Sequence, residues 1–290
     1  MEKTLDEVID RTHPIYEHWE EVQDKLFVTK KRPRKYYLHP AKARSWMEGL
    51  LARAGQIVSK SGPAFTSKYK VKADGTFIDV DIVPVFHIGT CEEHKTSFPG
   101  KTWKVIKRVP EWKSKSFGLV PKPALAGADI QARREWRFDF RELEKDLVVG
   151  QKKPMIKLLK CFRDNSPNVF ENSLYSYALK TVVWLQSRQH PDSVFMDATR
   201  GKDFLGTLKY LLNLLNRGKI RSYWHPKANL IMKLNQNEIN RSSDWLLSAI
   251  EDLEQSINTE ACWSVWSSYF GSKEDFRQCI CYESDSNPKF

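Results

Sequence analysis

The chain has 290 residues, more than the roughly 100 to 200 of a usual single domain, so one large two-lobed unit or two packed domains is expected. With 41% hydrophobic residues and ten Trp, the composition excludes an intrinsically disordered chain. The 47 Lys and Arg against 36 Asp and Glu give a formal charge of +11, which favours polyanionic partners such as nucleic acid, nucleotides or acidic lipid.

Five cysteines, Cys91, Cys161, Cys262, Cys279 and Cys281, are odd in number and scattered. They lack the paired spacing of a small secreted disulfide framework, which points to a reducing compartment, cytoplasmic or nuclear. The opening MEKTLDEVID has no apolar core of a signal peptide, and no window reaches the roughly 18 apolar residues of a membrane span. A soluble protein with no membrane partner is expected.

In chain order, the first 30 residues read as a short charged helix interrupted by Thr12, His13 and Pro14. KKRPRK, from Lys30 to Lys35, contains Pro33, which a helix interior rejects, so the cluster is expected on a loop. It serves either as a solvated turn or as part of a polyanion-binding face. From Pro40 to Val58, Ala43, Trp46, Leu50, Leu51 and Ala54 recur at three- and four-residue steps and predict an amphipathic helix ending near Gly55. Its apolar face should pack on a sheet. Ala64–Val71 and Phe77–His87 flank Asp74-Gly75, a strong turn signal, and together predict a hairpin. FGLVPKP and EWRFDF continue the extended character.

After about residue 150 helical spacing takes over, in Pro154–Phe162, Leu174–Gln186, Phe204–Leu215 and Trp245–Ile257. Asp203 and Gly218 stand at expected cap positions around the third of these. The fold class is therefore α+β, with an α+β lobe over 1–150 and a helical lobe over 151–290.

TFIDVDIVPVF, Thr76 to Phe86, sets Asp79 and Asp81 inside an apolar run. On a strand, positions two apart share a face, so the two carboxylates project together while Ile78, Val80 and Ile82 face the other way. Two readings remain open. The pair shares a divalent cation, or an edge strand simply exposes both acids to water. Lys153, Lys157 and Lys160 form a basic stripe on a helix, for which a solvated face is the ordinary explanation. Ser176 and Lys180 share a helix face, and Tyr177 beside them reads as a core residue. His87, Cys91 and His94 have a spacing that could hold zinc with a fourth ligand such as Cys279 or Cys281, but three ligands in one loop are not a zinc signature, and zinc is not expected.

SGPAFTSKYKVKADGTFIDVDIVPVF, FGLVPKP, EWRFDFRELEKDL, MIKLLKCF, SYALKT and YWHPKANLI occur in this order over roughly residues 36 to 257. Taken together they resemble the cyclic GMP-AMP synthase-like receptors of the Mab-twenty-one nucleotidyltransferase family. The resemblance implies a bilobed fold, a mixed-sheet nucleotidyltransferase core followed by a helical lobe, with the active site in the cleft between them. It implies ATP and GTP as substrates, Mg²⁺ (or Mn²⁺) as cofactor and a cyclic dinucleotide of the cyclic GMP-AMP type as product. Double-stranded RNA, rather than DNA, is the implied activator, because the zinc insertion of the DNA sensor has no counterpart in VVGQKKP.

Residue by residue, Asp81 matches the third metal-binding acid of the family, and Asp79 would be its extra neighbour. Lys122 and Arg137 match positions facing the guanine nucleotide or product. Asp139 and Arg141 stand where the synthase has small hydroxyls. Glu144 matches an acid near the donor nucleotide. Lys160, Ser176 and Lys180 match the groups that hold the triphosphate, and Tyr177 the aromatic that stacks on a base. Lys30, Lys31, Arg32, Arg34 and Lys35, with the Lys-rich stretch from Lys101 to Lys115, would form the RNA-binding face. The family's Gly-Ser turn with its first two acids, and its N-terminal spine helix, have no match upstream of residue 40. A truncated form is expected on that account, and a non-catalytic nucleic-acid-binding or scaffold member of the family is the alternative.

Overall fold

The computed structural model describes residues 27–31, 34–61, 63–70, 77–122, 136–170, 174–189, 200–256 and 262–271. The chain divides into two compact units, one of residues 1–97 and 111–142, the other of 98–110 and 143–290. The helical unit thus also takes in the segment 98–110 from within the first half of the chain.

In the first unit, β1 (Phe27–Lys31) and β2 (Arg34–Leu38) form an antiparallel pair in which Lys30 faces Lys35 and Lys31 faces Arg34. This corrects the loop expected for the KKRPRK cluster. Pro33 excludes a helix, but the β-branched and aromatic residues on either side, Val28, Thr29, Tyr36 and Tyr37, favour strands. Arg32 and the expected helix before residue 27 lie outside the described residues.

Helix α1 (Pro40–Arg53) starts at its proline, where the missing N–H is no loss, and Gly55 beyond its end takes a φ of 72°. The helix buries Pro40 and Ala43, and it packs against a strand of the last sheet, β7 (Ser116–Pro121). A second sheet has the order β3 (Val58–Ser61), β4 (Ala64–Lys70) and β5 (Phe77–Ile82). Phe65 of β4 is fully buried, and the Arg44 guanidinium lies 5.4 Å over its ring.

The predicted second strand of the hairpin runs on to His87, but β5 stops at Ile82 and β6 (Phe86–Thr90) joins another sheet. Pro84 lies between them and has no N–H to give a continuing ladder. That third sheet has the order β6, β7 and β8 (Trp136–Asp139), all antiparallel. One face carries the aromatic set Phe86, Phe117, Trp136 and Phe138, with Phe86 meeting Trp136 edge-on at 5.4 Å and Phe117 lying 6.0 Å from Phe138. Helix α3 (Arg141–Leu147) follows β8.

In the second unit, α2 (Gly100–Ile106) buries Thr102, Val105 and Ile106, while α4 (Lys152–Asp164), the short α5 (Pro167–Phe170), α6 (Ser176–Gln189), α7 (Arg200–Asn216), α8 (Gln236–Ser256) and α9 (Cys262–Phe270) surround one apolar core. Phe162 is at its aromatic centre, 5.1 Å from Trp245, 5.7 Å from Phe204 and 5.8 Å from both Tyr269 and Phe270. Two expected boundaries shift. Asp203 sits inside the first turn of α7, not before it, and its carbonyl accepts the Thr207 hydroxyl at 2.7 Å. The α8 helix starts at Gln236, ahead of the predicted Trp245, because Asn235 and Glu238 cap it reciprocally at 2.9 and 2.8 Å. Gly218 ends α7 as expected, with a φ of 60° and its N–H donating to the Leu215 carbonyl at 2.7 Å.

Candidate functional site

The basic groups foreseen on two helices come together in the second unit. Helix α4 turns Met155, Ile156, Leu158, Leu159 and Phe162 inward, which leaves Lys153 and Lys157 exposed and Lys160 half-buried at the edge of the apolar face. Lys160 lies close enough to Lys180 of α6 and to Arg163 for their charges to act on it. Burial first, then the positive charges of Lys180 and Arg163, push its ammonium below the ordinary lysine value, with Asp164 pulling the other way. An ammonium held beside two other cations in this way is relieved by an anion.

Ser176 opens α6, and its hydroxyl accepts Arg163 Nη1 at 3.2 Å. The same nitrogen donates to the Leu174 carbonyl at 3.1 Å, while Nη2 pairs with Asp164 at 2.6 Å. Arg163 was not among the predicted groups. The available signal was its spacing, three residues beyond Lys160 and hence on the same side of α4. The half-buried Tyr177 meets Trp184 edge-on at 6.1 Å, in line with a packing role. One oxygen of Glu144 accepts the Trp224 indole N–H at 3.0 Å, so this carboxylate anchors YWHP within the helical unit.

In the first unit, Asp79 and Asp81 are both exposed on β5 and share the face that Thr66 and Lys68 occupy on β4. Thr66 donates its hydroxyl to Asp81 Oδ1 at 2.6 Å, a contact invisible in sequence because fifteen residues separate the two. Two exposed carboxylates on one strand face fit a single Mg²⁺ shared with phosphate oxygens and water. Among the described residues no group of three His, Cys, Asp or Glu is placed to hold a metal, so a three-acid, two-ion set is not assembled there. Lys122 and Arg137 are exposed, after β7 and on β8, and Asp139 lies 3.9 Å from Arg141. In the former zinc candidate, Cys91 is buried and its thiol is pushed up to about 11, while His94 packs edge-on against Phe117 at 5.6 Å.

An antiparallel-sheet unit with paired acids is joined in sequence to a helical unit with clustered cations, an α+β architecture. A family model of the Mab-21 protein nucleotidyltransferase domain matches residues 7–150, and one of the Mab-21 protein HhH/H2TH-like domain matches 151–266. The chain belongs to the Mab-21 family of nucleotidyltransferase-fold proteins. It is similar to the cyclic GMP-AMP synthase-like receptor of Aethina tumida, 29% identical over 240 residues, which cover 75% of this chain and 56% of the relative. The receptor of the same name from Ctenocephalides felis is 27% identical over 238 residues, covering 74% of this chain and 53% of the relative. The chain spans about half the length of these curated relatives. Among the described residues no helix is long and apolar enough to cross a membrane.

Proposed function

We propose that this protein binds ATP and GTP as a nucleotidyltransferase and, in keeping with the name of its relatives, makes a cyclic dinucleotide when double-stranded RNA is present. The observation that carries the reading is the placement of Lys160 near Lys180 and Arg163, with Arg163 donating to the Ser176 hydroxyl at 3.2 Å. Compact ammonium groups and a hydroxyl at a helix start are the chemistry that holds a triphosphate. Asp81, steadied by Thr66, and Asp79 would hold Mg²⁺ or Mn²⁺. A divalent ion supplies charge neutralisation on the phosphate oxygens during phosphoryl transfer. Lys122 and Arg137 would face the base or product. The β1–β2 pair, with Lys30, Lys31, Arg34 and Lys35 in facing register, supports a phosphate-contacting RNA surface. A cytoplasmic location accords with this chemistry and with the free thiol of Cys91.

A second reading, a non-catalytic nucleic-acid-binding or scaffold protein of the same family, draws on one observation: no three-acid group occurs among the described residues. Incubation with ATP, GTP, Mg²⁺ or Mn²⁺ and long double-stranded RNA separates the two. Cyclic dinucleotide that disappears in Asp81→Asn supports the enzyme. RNA binding with salt sensitivity but no product, in the presence of both ions, supports the scaffold.

A further inference from the structure

The helical unit has a second cationic feature, distinct from the Lys160 cluster. Near the ends of α6 and α7 lies a cavity of about 550 Å³. Arg188, Tyr210, Arg217, Lys219, Arg221 and Ser222 line it over a floor that includes Leu185 and Leu214, and no carboxylate among the described residues contributes to its wall. Ser176 opens α6 and Arg188 is in its last turn. At about 1.5 Å per residue, roughly 18 Å of helix separates this cavity from the Ser176 end.

Cations commonly collect at helix C-termini because the backbone dipole leaves negative charge there. That explanation covers only part of the charge. Two helix ends amount to roughly one negative charge in total, against four cationic side chains. The loop that presents them is also fixed. Gly218 reverses the chain between Arg217 and Lys219, and Asn229 clamps the segment after the turn, donating to the Gly218 carbonyl at 2.9 Å and accepting the Ile220 N–H at 3.0 Å. Arg221 pairs with Asn229 through the backbone, so Lys219 and Arg221, two apart on an extended segment, are held on one side. Arg188 is further steadied over the Tyr223 ring at 5.8 Å. The Tyr210 hydroxyl, raised by burial, is pulled back by the charges of Arg188 and Arg217 and by a hydrogen bond with Gln189, which places both guanidiniums near it.

We propose that this cavity is a binding site for a compact polyphosphate, a small molecule with several phosphates close together. Its volume is in the range of small-molecule sites, roughly 300 to 1,000 Å³, and the convergence of guanidiniums suits bidentate phosphate contacts. A duplex presents its phosphates along a convex line, which a concave site of this size does not follow.

The test is calorimetric titration of the full chain with inositol hexakisphosphate, ATP and inorganic phosphate as separate probes. It uses the wild type, the pair Arg217→Gln with Arg221→Gln, and the pair Lys160→Gln with Lys180→Gln. At least one polyphosphate should bind, losing roughly tenfold or more in affinity in the arginine pair, and keeping its affinity for this site in the lysine pair. Arg217→Lys with Arg221→Lys should restore part of the binding. Which of the first two probes shows this dependence decides between an inositol polyphosphate and a nucleotide. Three outcomes overturn the proposal: no polyphosphate binds, the arginine pair leaves all binding unchanged at an unaltered melting temperature, or inorganic phosphate binds as tightly as the polyphosphates. Failure here would leave the Lys160 reading untouched, because that depends on the lysine pair.

Discussion

Arg163 ties α4 to the start of α6, with one nitrogen serving both the Ser176 hydroxyl at 3.2 Å and the Leu174 carbonyl at 3.1 Å. Replacing it in Arg163→Ala leaves both acceptors without their charged donor at a partly buried spot. The expected loss is about 1 to 3 kcal/mol of stability. It should be accompanied by weaker ATP binding, since Ser176 is no longer held. Chemical denaturation of the two proteins reads the first effect and ATP titration the second. A variant as stable as the wild type would show that the guanidinium does not fasten these helices.

Lys160 gives a pH-dependent signature whose sign is set by its lowered pKa. The charged ammonium is penalised in the folded state, so the penalty is present while lysine is protonated in both states. It fades as pH rises from the lowered folded value through the unfolded one of 10.5. Lys160→Met should therefore melt higher than the wild type near neutrality in the absence of nucleotide, with the advantage shrinking as pH approaches about 10. Saturating ATP should reverse the order, because only the wild type gains the phosphate contact. Parallel melting curves at every pH would count against the charge cluster.

His225 reports on the acid side. Its Nδ1 lies 3.2 Å from the hydroxyl of Thr102, which is 1% exposed on α2, and burial lowers the imidazole pKa below 6.5. Here too the charged form is disfavoured in the fold. Stability is complete above the unfolded value of 6.5 and falls as pH drops from there to the lowered folded value, then levels off. His225→Asn keeps a polar group at this place without the titration. Thermal melts between about pH 8 and pH 5 should show a steeper acid decline for the wild type than for the variant.

Much of this arrangement is legible in the sequence where periodicity carries it. The helices around Phe162 and the β4–β5 hairpin arise from apolar spacing and the Asp-Gly signal. Lys160, Ser176 and Lys180 are legible through family motifs, because their proximity depends on how α4 packs on α6 and no local spacing encodes that. Thr66 escapes for the same reason, and for Arg163 the spacing from Lys160 marks the side of α4 but not the Ser176 hydroxyl that packing brings to it. The strand break at Pro84 is readable in principle, but the alternating run around it masks the change of sheet.

Gly118 is required by a close approach. A Cβ there would collide with Val85 Cγ1 and lie 3.1 Å from the Phe86 carbonyl oxygen, on a strand that pairs with β6 on one side and β8 on the other. The valine can turn aside, but the backbone oxygen cannot move without disturbing the β6–β7 register. Gly118→Ala should cost about 1 to 3 kcal/mol, seen as a melting shift of several degrees. An unchanged melting temperature would mean that the loop through Val85 yields freely.

Phe162 is the deepest test of the helical unit. Its ring is 2% exposed and touches aromatic neighbours from α5, α7, α8 and α9. Phe162→Ala removes the ring from a close-packed site and should cost about 3 to 5 kcal/mol, a large part of the roughly 5 to 15 kcal/mol that holds a domain folded. Phe162→Leu keeps most of the volume and forfeits mainly the ring-to-ring contacts, each worth about 0.5 to 1.5 kcal/mol. The urea midpoints should therefore fall in the order wild type, leucine, alanine. Because Lys160 and Arg163 sit on the same helix but outside its buried face, the leucine variant should retain ATP binding while its stability drops. Equal losses of stability for both variants would locate the aromatic contacts, and not the filled volume, as the source of cohesion.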